Sequence, residues 1–356
     1  MRLLFINYET PLGTAMHATP VFARLRAARP DWEVHVAAAG MAGDVLGSNP
    51  HIDRVWHTPH ILKESGAFAK WALRHRREMG RYDAAIYNAD NQRTRLGLLS
   101  RLFSARRRAG YAIHPFMVRD HLRYDNSLSL IQNNLRLLGL LGVPTGGPAD
   151  PEIWYRQADA EAALAMRAPL GDGPVIGFFT ATSGGPPNQW YDDRFIAVGK
   201  ELRRRTGARL VFFGGPKDIE HAALLAKACG EGATSLAGRT SAQRLAAFCT
   251  LCDLIVTVDT GGMHVAWAVG TPSVVLGNAA NPVYVWQPLA NPKVRIIRKD
   301  DKVPCAICRK PTCLTRECMD EIKTDEVIAT ALEQFAAFPP DAAARATRLG
   351  RWVNVG

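Results

Sequence analysis

Long apolar runs are missing from this chain of 356 residues. No segment approaches the roughly 20 apolar residues that a membrane-spanning helix needs. The chain starts with a basic and then apolar stretch, like a short signal peptide, but Asn7 and Glu9 interrupt it. A buried first strand explains this start better than a targeting segment does. We therefore expect a cytoplasmic protein that at most contacts the inner face of the membrane peripherally.

Acidic residues are also scarce relative to basic ones. The chain has 33 Asp and Glu against 44 Lys and Arg, which gives a net charge of +11. Residues 1–150 hold 20 of the basic residues and 12 of the acidic ones. Such an excess either covers a solvated helix face or binds anionic lipid, an acidic acceptor or nucleic acid. We find no nucleic-acid-binding motif and no interleaved aromatic residues, so lipid or an acidic glycan is the expected partner. Two arginine clusters dominate the distribution of this charge: Arg74, Arg76, Arg77 and Arg81, then Arg101, Arg106, Arg107 and Arg108.

Two catalytic motifs are absent. The first predicted strand is not followed by Gly-x-Gly-x-x-Gly, so an NAD-dependent oxidoreductase has little support. An aspartic protease needs two Asp-Thr-Gly carboxylates that share a proton, and this chain has one, at 259–261.

Short apolar runs alternate with amphipathic stretches along most of the chain. This alternation predicts an α/β fold with parallel sheets covered on both faces. The predicted strands are 3–7, 33–39, 83–88, 175–180, 209–214, 253–258, 273–276 and 294–298. The predicted helices are 15–28, 66–79, 192–206, 219–229, 241–249, 263–268 and 324–338.

A seam rich in glycine and proline at 142–173 separates two such segments. We therefore predict two doubly wound domains with a cleft between them, residues 1–165 and 172–323. Residues 324–356 form a last helix and a tail. The sequence leaves open whether these residues belong to the second domain or pack back on the first.

The strongest local signal is a buried strand that ends in Asp259-Thr260-Gly261-Gly262 and passes at once into an apolar helix. Glycines let the backbone approach a ligand, and amides at a helix N-terminus donate hydrogen bonds to a diphosphate. The strand at 273–276 ends in Gly277 and would open onto the same crevice. The alternative is a tight structural turn in which Asp259 only caps the helix.

These residues resemble glycosyltransferase family 9, the ADP-heptose:lipopolysaccharide heptosyltransferases. The hallmark of that family is a strand followed by Asp-[Ser/Thr]-Gly-x-x-His-x-Ala-x-Ala-x-Gly-x-Pro, and residues 259–272 match it throughout. Weaker patches follow in the same order as in the family: Pro20, residues 49–55, Trp190 with Phe195, residues 214–218 and residues 236–241.

The resemblance implies the GT-B architecture of two Rossmann-like domains, with the acceptor in the first and the nucleotide sugar mainly in the second. It also implies sugar transfer with inversion, without a catalytic metal, from a nucleotide-diphosphate donor that is ADP-linked, to a lipopolysaccharide-core or other cell-envelope acceptor. His264 would face the phosphates or the sugar, or would only fix the helix turn. The donor-binding residues carried over are Thr180, Thr182, Asp218, Asp259, Thr260, Gly261, Gly262, His264 and Gly277.

Two departures from the family pattern bear on catalysis. Thr14 stands where the family has an Asp proposed as the general base, and a threonine is no base near neutral pH. Glu9 and His17 are the nearest replacements, and we favour Glu9. Asn188 stands where the family often has a lysine on the donor phosphates, and Lys217 or an arginine of the first domain is the expected substitute. The alternative is a non-catalytic nucleotide-sugar-binding protein of the same fold.

Four of the seven cysteines fall within 14 residues, in the loop 305–318. Disulfides are not expected in a cytoplasmic chain. The spacing predicts either a structural tetrathiolate site for zinc or iron, or a reduced and partly buried loop. Similar Cys-rich segments occur in many members of the resembled family. The predicted ligands are Cys305, Cys308, Cys313 and Cys318.

Overall fold

The computed structural model describes residues 1–89, 94–112, 118–147, 149–181, 188–288, 291–308, 313 and 315–354. The chain divides into two units, Met1–Trp154 and Tyr155–Val355. Each unit contains its own six-stranded parallel sheet. Within the described part of the chain, no helix combines the length and the apolar character needed to cross a bilayer.

The sheet of the first unit has the strand order β3-β2-β1-β4-β5-β6. Its strands are β1 (Arg2–Ile6), β2 (Glu33–Ala39), β3 (Arg54–Thr58), β4 (Tyr82–Tyr87), β5 (Ala105–Tyr111) and β6 (Asp120–Leu122). Its helices are α1 (Leu12–Met16), α2 (Thr19–Ala28), α3 (Met41–Leu46), α4 (Ser65–Met79), α5 (Thr94–Leu99) and α6 (Leu130–Gly139). The order reverses between β1 and β4, which makes this point the ligand-binding switch point of a doubly wound sheet.

The sheet of the second unit repeats the same order, as β10-β9-β8-β11-β12-β13. Its strands are β8 (Val175–Phe179), β9 (Arg209–Phe213), β10 (Ala233–Ser235), β11 (Leu254–Val258), β12 (Ser273–Leu276) and β13 (Val294–Ile297). A separate two-stranded sheet joins β7 (Tyr155–Arg156) to β14 (Val353–Asn354). The helices are α7 (Gln157–Arg167), α8 (Asp192–Thr206), α9 (Ile219–Cys229), α10 (Ala242–Thr250), α11 (Gly261–Val269), α12 (Glu317–Asp320), α13 (Thr324–Ala337) and α14 (Ala342–Arg351).

The sequence contains clear signals for both ends of helix α8. Two acidic residues, Asp192 and Asp193, occupy its first turn, and three arginines occupy its last turn. These charges complement the helix dipole at both ends. Gly207 follows with φ 69°, the left-handed conformation that ends a helix at little cost for glycine. The predicted helix 192–206 therefore coincides with the observed one.

The last two helices pack within the second unit. Val327 and Ala331 of α13 are fully buried in the core that also contains the strands β8, β9 and β11. Helix α14 is held by a short ion pair, because Arg345 Nη1 lies 2.7 Å from Asp253 Oδ1. The second oxygen of Asp253 accepts the amide of Val175 over 2.9 Å. Residues 324–354 thus contribute to the hydrophobic core and to the support of the first strand of the large sheet in this unit.

Two local predictions are wrong. The predicted helix 15–28 is two helices, α1 and α2, because the chain breaks at residues 17–18 and Pro20 suits the first turn of a new helix. Arg106, Arg107 and Arg108 lie on β5 and not on a helix face. The buried residues Ala109, Gly110 and Tyr111 come only at the end of this strand, so the preceding run of charge hides the strand from a sequence pattern.

Candidate functional site

The strand order of the second sheet reverses between β8 and β11, so the carboxyl ends of these two strands flank the expected crevice. Thr180 directly follows β8, and Asp259 directly follows β11. These strands pair in register, with Thr257 opposite Phe179. The structure therefore brings the predicted donor residues Thr180 and Asp259 to the same edge of the sheet.

Helix α11 starts unusually close to β8, and Gly262 makes this possible. A Cβ atom at Gly262 would lie 2.3 Å from Cγ of Phe179, a distance that no real contact shows. Phe179 is the last residue of β8 and is itself stacked on Phe213 with ring centroids 4.9 Å apart. The glycine thus lets the N-terminus of α11 pack against the end of the neighbouring strand.

The N-terminus of α11 lies at the predicted ligand edge. Thr260 is the N-cap residue in an extended conformation, and its own side chain makes no capping hydrogen bond. The interpretation in which Asp259 only caps this helix stays an alternative. The first-turn amides of a helix carry positive potential and can donate to an anion. The predicted set Thr260, Gly261 and Gly262 forms this turn.

Asp259 occupies a partly exposed but crowded position at the start of this turn. Burial raises the pKa of its carboxyl group, whereas the hydrogen bond from Gln287 and the charge of Arg298 lower it. The bond runs from Gln287 Nε2 to Asp259 Oδ2 over 3.1 Å. Gln287 is itself 5% exposed, so the pair is a fixed element of the site. A carboxyl held in this way is poised to accept a hydrogen bond from a ligand hydroxyl.

His264 lies on α11 and is 5% exposed. Burial lowers the pKa of its imidazole to about 4, so the ring is neutral near pH 7. The ring centroid lies 6.4 Å from that of Trp267. A neutral imidazole can take part in hydrogen bonds but contributes no positive charge to an anion site.

Asp218 ends a short 3-10 turn, Pro216–Asp218, which follows β9. Its Oδ2 accepts the amide of Gly215 over 2.8 Å. A Cβ at Gly214 would lie 2.6 Å from the Cβ of Asp218, so glycine is required for this close turn. Because β9 is the neighbour of β8, Asp218 belongs to the same carboxyl edge as Thr180 and Asp259.

Two of the remaining predicted donor residues are the threonines that follow β8. Thr180 is 4% exposed, and Thr182 lies outside the described residues. Asn188 accepts a short hydrogen bond from the side-chain amide of Asn278, which follows β12. Asn188 is thus engaged by protein, and it carries no charge for the donor phosphates.

Sequence reasoning missed Gln287 and Arg298. Arg298 follows β13 at the same edge of the sheet, and its guanidinium charge acts on Asp259. Gly277, which was predicted, leaves room for both side chains, since a Cβ there would lie 2.9 Å from Arg298 Cγ and 3.0 Å from Gln287 Nε2. Arg298 could have been indicated by its place at the end of a predicted strand. No sequence signal points to Gln287.

In the first unit the corresponding switch point contains Asn7 and Asn88. Asn88 Nδ2 donates to Asn7 Oδ1 over 2.9 Å, and Asn88 Oδ1 accepts the amide of Tyr8 over 2.7 Å. Asn7 Nδ2 in turn donates to the carbonyl of Glu9 over 2.5 Å. Glu9 is therefore held at the carboxyl edge between β1 and β4, where doubly wound sheets bind ligands.

The other two catalytic candidates have different surroundings. Thr14 is half-buried on α1, and its hydroxyl donates to the carbonyl of Pro11 over 3.1 Å. His17 is 1% exposed, and its carbonyl accepts the side-chain amide of Asn134 over 3.0 Å. Glu9, at 6% exposure, lies three residues beyond the end of β1, whereas His17 lies beyond α1 among packed residues.

The Cys-rich loop is partly described. Cys318 is buried, and burial, together with Cys305 and Cys313, raises the pKa of its thiol. The amide of Arg316 donates to Cys313 Sγ over 3.3 Å, and Arg316 has φ 51°. Yet in the described ranges no group of three or more His, Cys, Asp or Glu is arranged to hold a metal ion. The four-thiol metal site therefore stays a prediction.

Two doubly wound units with strand order 3-2-1-4-5-6 define the GT-B class of two Rossmann-like domains. In the second unit, the N-terminus of α11 lies at the switch point. The pattern of Glycosyltransferase family 9 (heptosyltransferase) matches residues 71–318. The chain belongs to glycosyltransferase family 9.

Comparison with individual proteins agrees with this assignment. The chain is 27% identical over 195 residues to lipooligosaccharide heptosyltransferase 2 of Haemophilus influenzae, and this match spans 54% of each chain, about half of that relative's length. The solved structure of Escherichia coli ADP-heptose lps heptosyltransferase II is similar with a TM-score of 0.76 at 20% identity, over 95% of this chain and 98% of that one. A family 9 glycosyltransferase from Veillonella parvula is similar with a TM-score of 0.80 at 21% identity, over 94% and 97%.

Proposed function

We propose that this protein transfers a heptose or related sugar from a nucleotide-diphosphate donor, ADP-heptose in the first instance, to a lipopolysaccharide-core or other cell-envelope acceptor. The observation that carries the proposal is the N-terminus of α11 at the switch point of the second sheet, packed through Gly262 against the end of β8. The names of the relatives support the choice of sugar and acceptor, since they include an ADP-heptose lps heptosyltransferase and a lipooligosaccharide heptosyltransferase.

The chemistry that we propose is a single displacement with inversion and without a catalytic metal. Glu9 accepts the proton of an acceptor hydroxyl, whose oxygen attacks the anomeric carbon of the sugar. The bond between that carbon and the diphosphate oxygen breaks, and the electron pair leaves with ADP. The amides of Thr260, Gly261 and Gly262 stabilise the negative charge that develops on the diphosphate. Asp218 accepts from the ribose hydroxyls, and Thr180 and Thr182 add hydroxyl contacts.

Calorimetric titration with ADP, UDP, GDP and CMP, followed by an assay with ADP-heptose, tests this proposal. Selective binding of ADP that Asp259→Ala weakens, together with a mass-detected glycosylated acceptor, would support it. Binding of another nucleotide diphosphate in preference to ADP would discard the heptose donor. Failure of all four to bind would discard the donor site.

The second candidate function is a non-catalytic nucleotide-sugar-binding protein, and the threonine at position 14 favours it. Both candidates predict ADP binding, but only the enzyme predicts product. Saturating binding of ADP-heptose without turnover, in the presence of lipopolysaccharide-core acceptors, would select the binding protein.

We also propose that the first unit contacts an anionic membrane surface through α4 and the residues beside it. The exposed face of α4 carries Lys70, Leu73, Arg74 and Arg77, and Leu73 is 57% exposed. Burial lowers the pKa of Arg108, and the nearby charges of Arg101 and Arg76 lower it further, so positive charge is concentrated next to α4. An exposed leucine among arginines suits a lipid surface better than a soluble anion.

Cosedimentation with vesicles tests this contact. Vesicles with 30 mol% or so of anionic lipid should retain the protein at low salt, because each basic residue near such a surface contributes about 1 kcal/mol. Replacing Arg74 and Arg77 by Ser should release it, whereas replacing Arg203 and Arg205 of α8 by Ser should not. Retention by neutral vesicles alone, or binding of an acidic oligosaccharide without any vesicle binding, would refute the membrane contact.

For the Cys-rich loop we propose a structural zinc or iron ion held by Cys305, Cys308, Cys313 and Cys318. The four cysteines within 14 residues support it, because clustered thiolates are the ligands that zinc and iron take in structural sites. The ion would stabilise the loop and take no part in the transfer.

A further inference from the structure

The donor site as proposed lacks an evident cation. The leaving diphosphate carries roughly two negative charges or more, and in the proposed site it lies beside the carboxyl group of Asp259. Asn188 has replaced the lysine that the family often places on these phosphates. Burial lowers the pKa of His264 to about 4, so His264 is neutral as well. Amides and a helix dipole would have to stabilise the diphosphate without any full positive charge.

Arg298 lies in the row of residues that also contains Asp259. The register pairs Val258 of β11 with Leu276 of β12, and Leu276 with Ile297 of β13. The next residues along the three strands are Asp259, Gly277 and Arg298, side by side at the carboxyl edge. The amide of Gly277 donates to the carbonyl of Ile297 over 3.0 Å, so this register persists to the edge.

The side chain of Arg298 crosses the space that a side chain at position 277 would occupy. A Cβ at Gly277 would approach Arg298 Cγ to 2.9 Å and Arg298 Cδ to 3.2 Å. The same Cβ would lie 3.0 Å from Nε2 of Gln287, the atom that donates to Asp259. Glycine at position 277 therefore lets the arginine lie across β12, next to the amide that holds Asp259.

The guanidinium group is buried and only partly used by the protein. Its side chain is 9% exposed. Nε and Nη2 donate to the two oxygens of Asp300 over 3.0 and 2.8 Å, and Nη2 also donates to the carbonyl of Asn281 over 2.8 Å. Among the residues that the structure describes, Nη1 makes no hydrogen bond. An arginine fork fixed on one side by a carboxylate keeps its remaining N–H groups oriented for a second anion.

We propose that Arg298 binds the diphosphate of the nucleotide sugar and supplies the positive charge that the family places at position 188. This role rests on the proposed function, since it presupposes a nucleoside diphosphate at the turn 259–262. The main competitor is Lys217, which lies on the exposed turn after β9. Arg298 differs from Lys217 in being buried and in acting electrostatically on Asp259.

Titration of the full chain with ADP separates these possibilities. Arg298→Gln should weaken ADP binding roughly ten- to hundredfold, the usual effect of losing a charge-assisted contact to phosphate. Arg298→Lys should recover part of the loss because it restores the charge without the fork. Arg295→Gln is the matched control, since Arg295 is an exposed arginine of β13, three residues before Arg298. Adenosine, which has no phosphate, should bind the wild type and Arg298→Gln alike in ligand-observed NMR.

The outcomes are distinct. The proposed role would be overturned if Arg298→Gln bound ADP as the wild type does. It would also be overturned if Arg298→Gln lost thermal stability and adenosine binding together with ADP binding, because Arg298 would then be a structural residue. A tenfold loss in Lys217→Gln with none in Arg298→Gln would assign the cation to Lys217. A wild type that binds adenosine and ADP equally would refute Arg298 while leaving a nucleotide site. A wild type that binds neither would refute the proposed function itself.

Discussion

Gly262 and Phe179 meet so closely that the ring of the phenylalanine occupies the place of a side chain at residue 262. This contact joins the first turn of α11 to the last residue of β8, two elements that are about 80 residues apart in the sequence but adjacent in the sheet. It sets how near the helix amides come to the crevice.

Gly262→Ala should therefore disturb both stability and nucleotide binding. We expect a loss of about 1–3 kcal/mol in the free energy of unfolding, since the ring or the helix must move to admit the methyl group. The measurement is urea unfolding together with ADP titration. Gly66→Ala is the control, because its Cβ on α4 meets nothing within 4 Å, and it should leave both properties intact or slightly raise stability. Wild-type stability and affinity in Gly262→Ala would contradict the packing described.

The proposed general base has a discriminating test. Glu9→Gln should lower kcat by about 10²–10⁴-fold while ADP binding stays constant, because a base acts on the acceptor and not on the nucleotide. Thr14→Asp in the Glu9→Gln background would return a carboxylate to the position that the family uses. We expect it to recover part of the activity. Full activity of Glu9→Gln would remove Glu9 from the mechanism.

Acid should destabilise the protein in part through His264. Burial lowers the pKa of His264 from its ordinary value of about 6.5 to about 4 in the folded state. The unfolded chain therefore binds the proton first, and the stabilising contribution, fully present above pH 6.5 or so, is lost as the pH falls towards 4. The shift corresponds to about 3 kcal/mol at most.

Urea unfolding of the wild type and of His264→Gln between pH 7.5 and 4.5 measures this contribution. The wild type should lose more stability over this interval than the variant does, and the difference isolates His264 from other titrating groups. Parallel pH profiles would mean that His264 is not kept neutral by the fold.

The ion pair between Asp253 and Arg345 should be essential for the stability of the second unit. Asp253 has a side chain that is 2% exposed, and that of Arg345 is 14% exposed. Arg345→Ala leaves a buried carboxylate without its cation, which costs about 3–5 kcal/mol. Thermal unfolding measures the loss. Arg204→Ala, which removes an exposed partner of Glu201 on α8, should change the melting temperature little; an equal effect of the two variants would refute the assignment.

The Cys-rich loop gives a prediction that needs no activity assay. Elemental analysis of protein purified without chelators should find about one zinc or iron ion per chain. Cys318→Ser should abolish it, because Cys318 is the buried member of the set. Cys229→Ser, which changes a buried cysteine of α9, should retain the metal. A metal-free wild type, or a metal that survives in Cys318→Ser, would leave the loop as reduced thiols.

The central strands of both sheets could be predicted from the sequence because they are unbroken apolar runs. The predicted strands 33–39 and 273–276 coincide with β2 and β12, and the others differ by a residue or so at either end. Strands β10 and β5 escaped prediction for physical reasons. β10 has only three residues, Ala233–Ser235, and the first half of β5 contains three consecutive arginines, so neither shows an apolar pattern.

Some residues of the candidate site could likewise be predicted from the sequence, and others could not. The turn 259–262 was evident because strand, glycines and helix are contiguous. Gln287 and Arg298 were not, because Gln287 reaches Asp259 from the connection between β12 and β13, and Arg298 reaches the same edge only through the sheet register. The buried, neutral state of His264 likewise depends on packing from distant residues, which no local pattern contains.

The pairing of β14 with β7 brings the two ends of the second unit together. Val353 lies opposite Tyr155, so residue 155 and residue 353 are one strand spacing apart, about 4.8 Å in the hydrogen-bonding direction. A unit whose ends are adjacent can be joined into a ring and reopened elsewhere. Residues 155–354 could thus be expressed as a circular permutant with new termini in an exposed loop, a route to the isolated second unit with its segments in a different order along the chain.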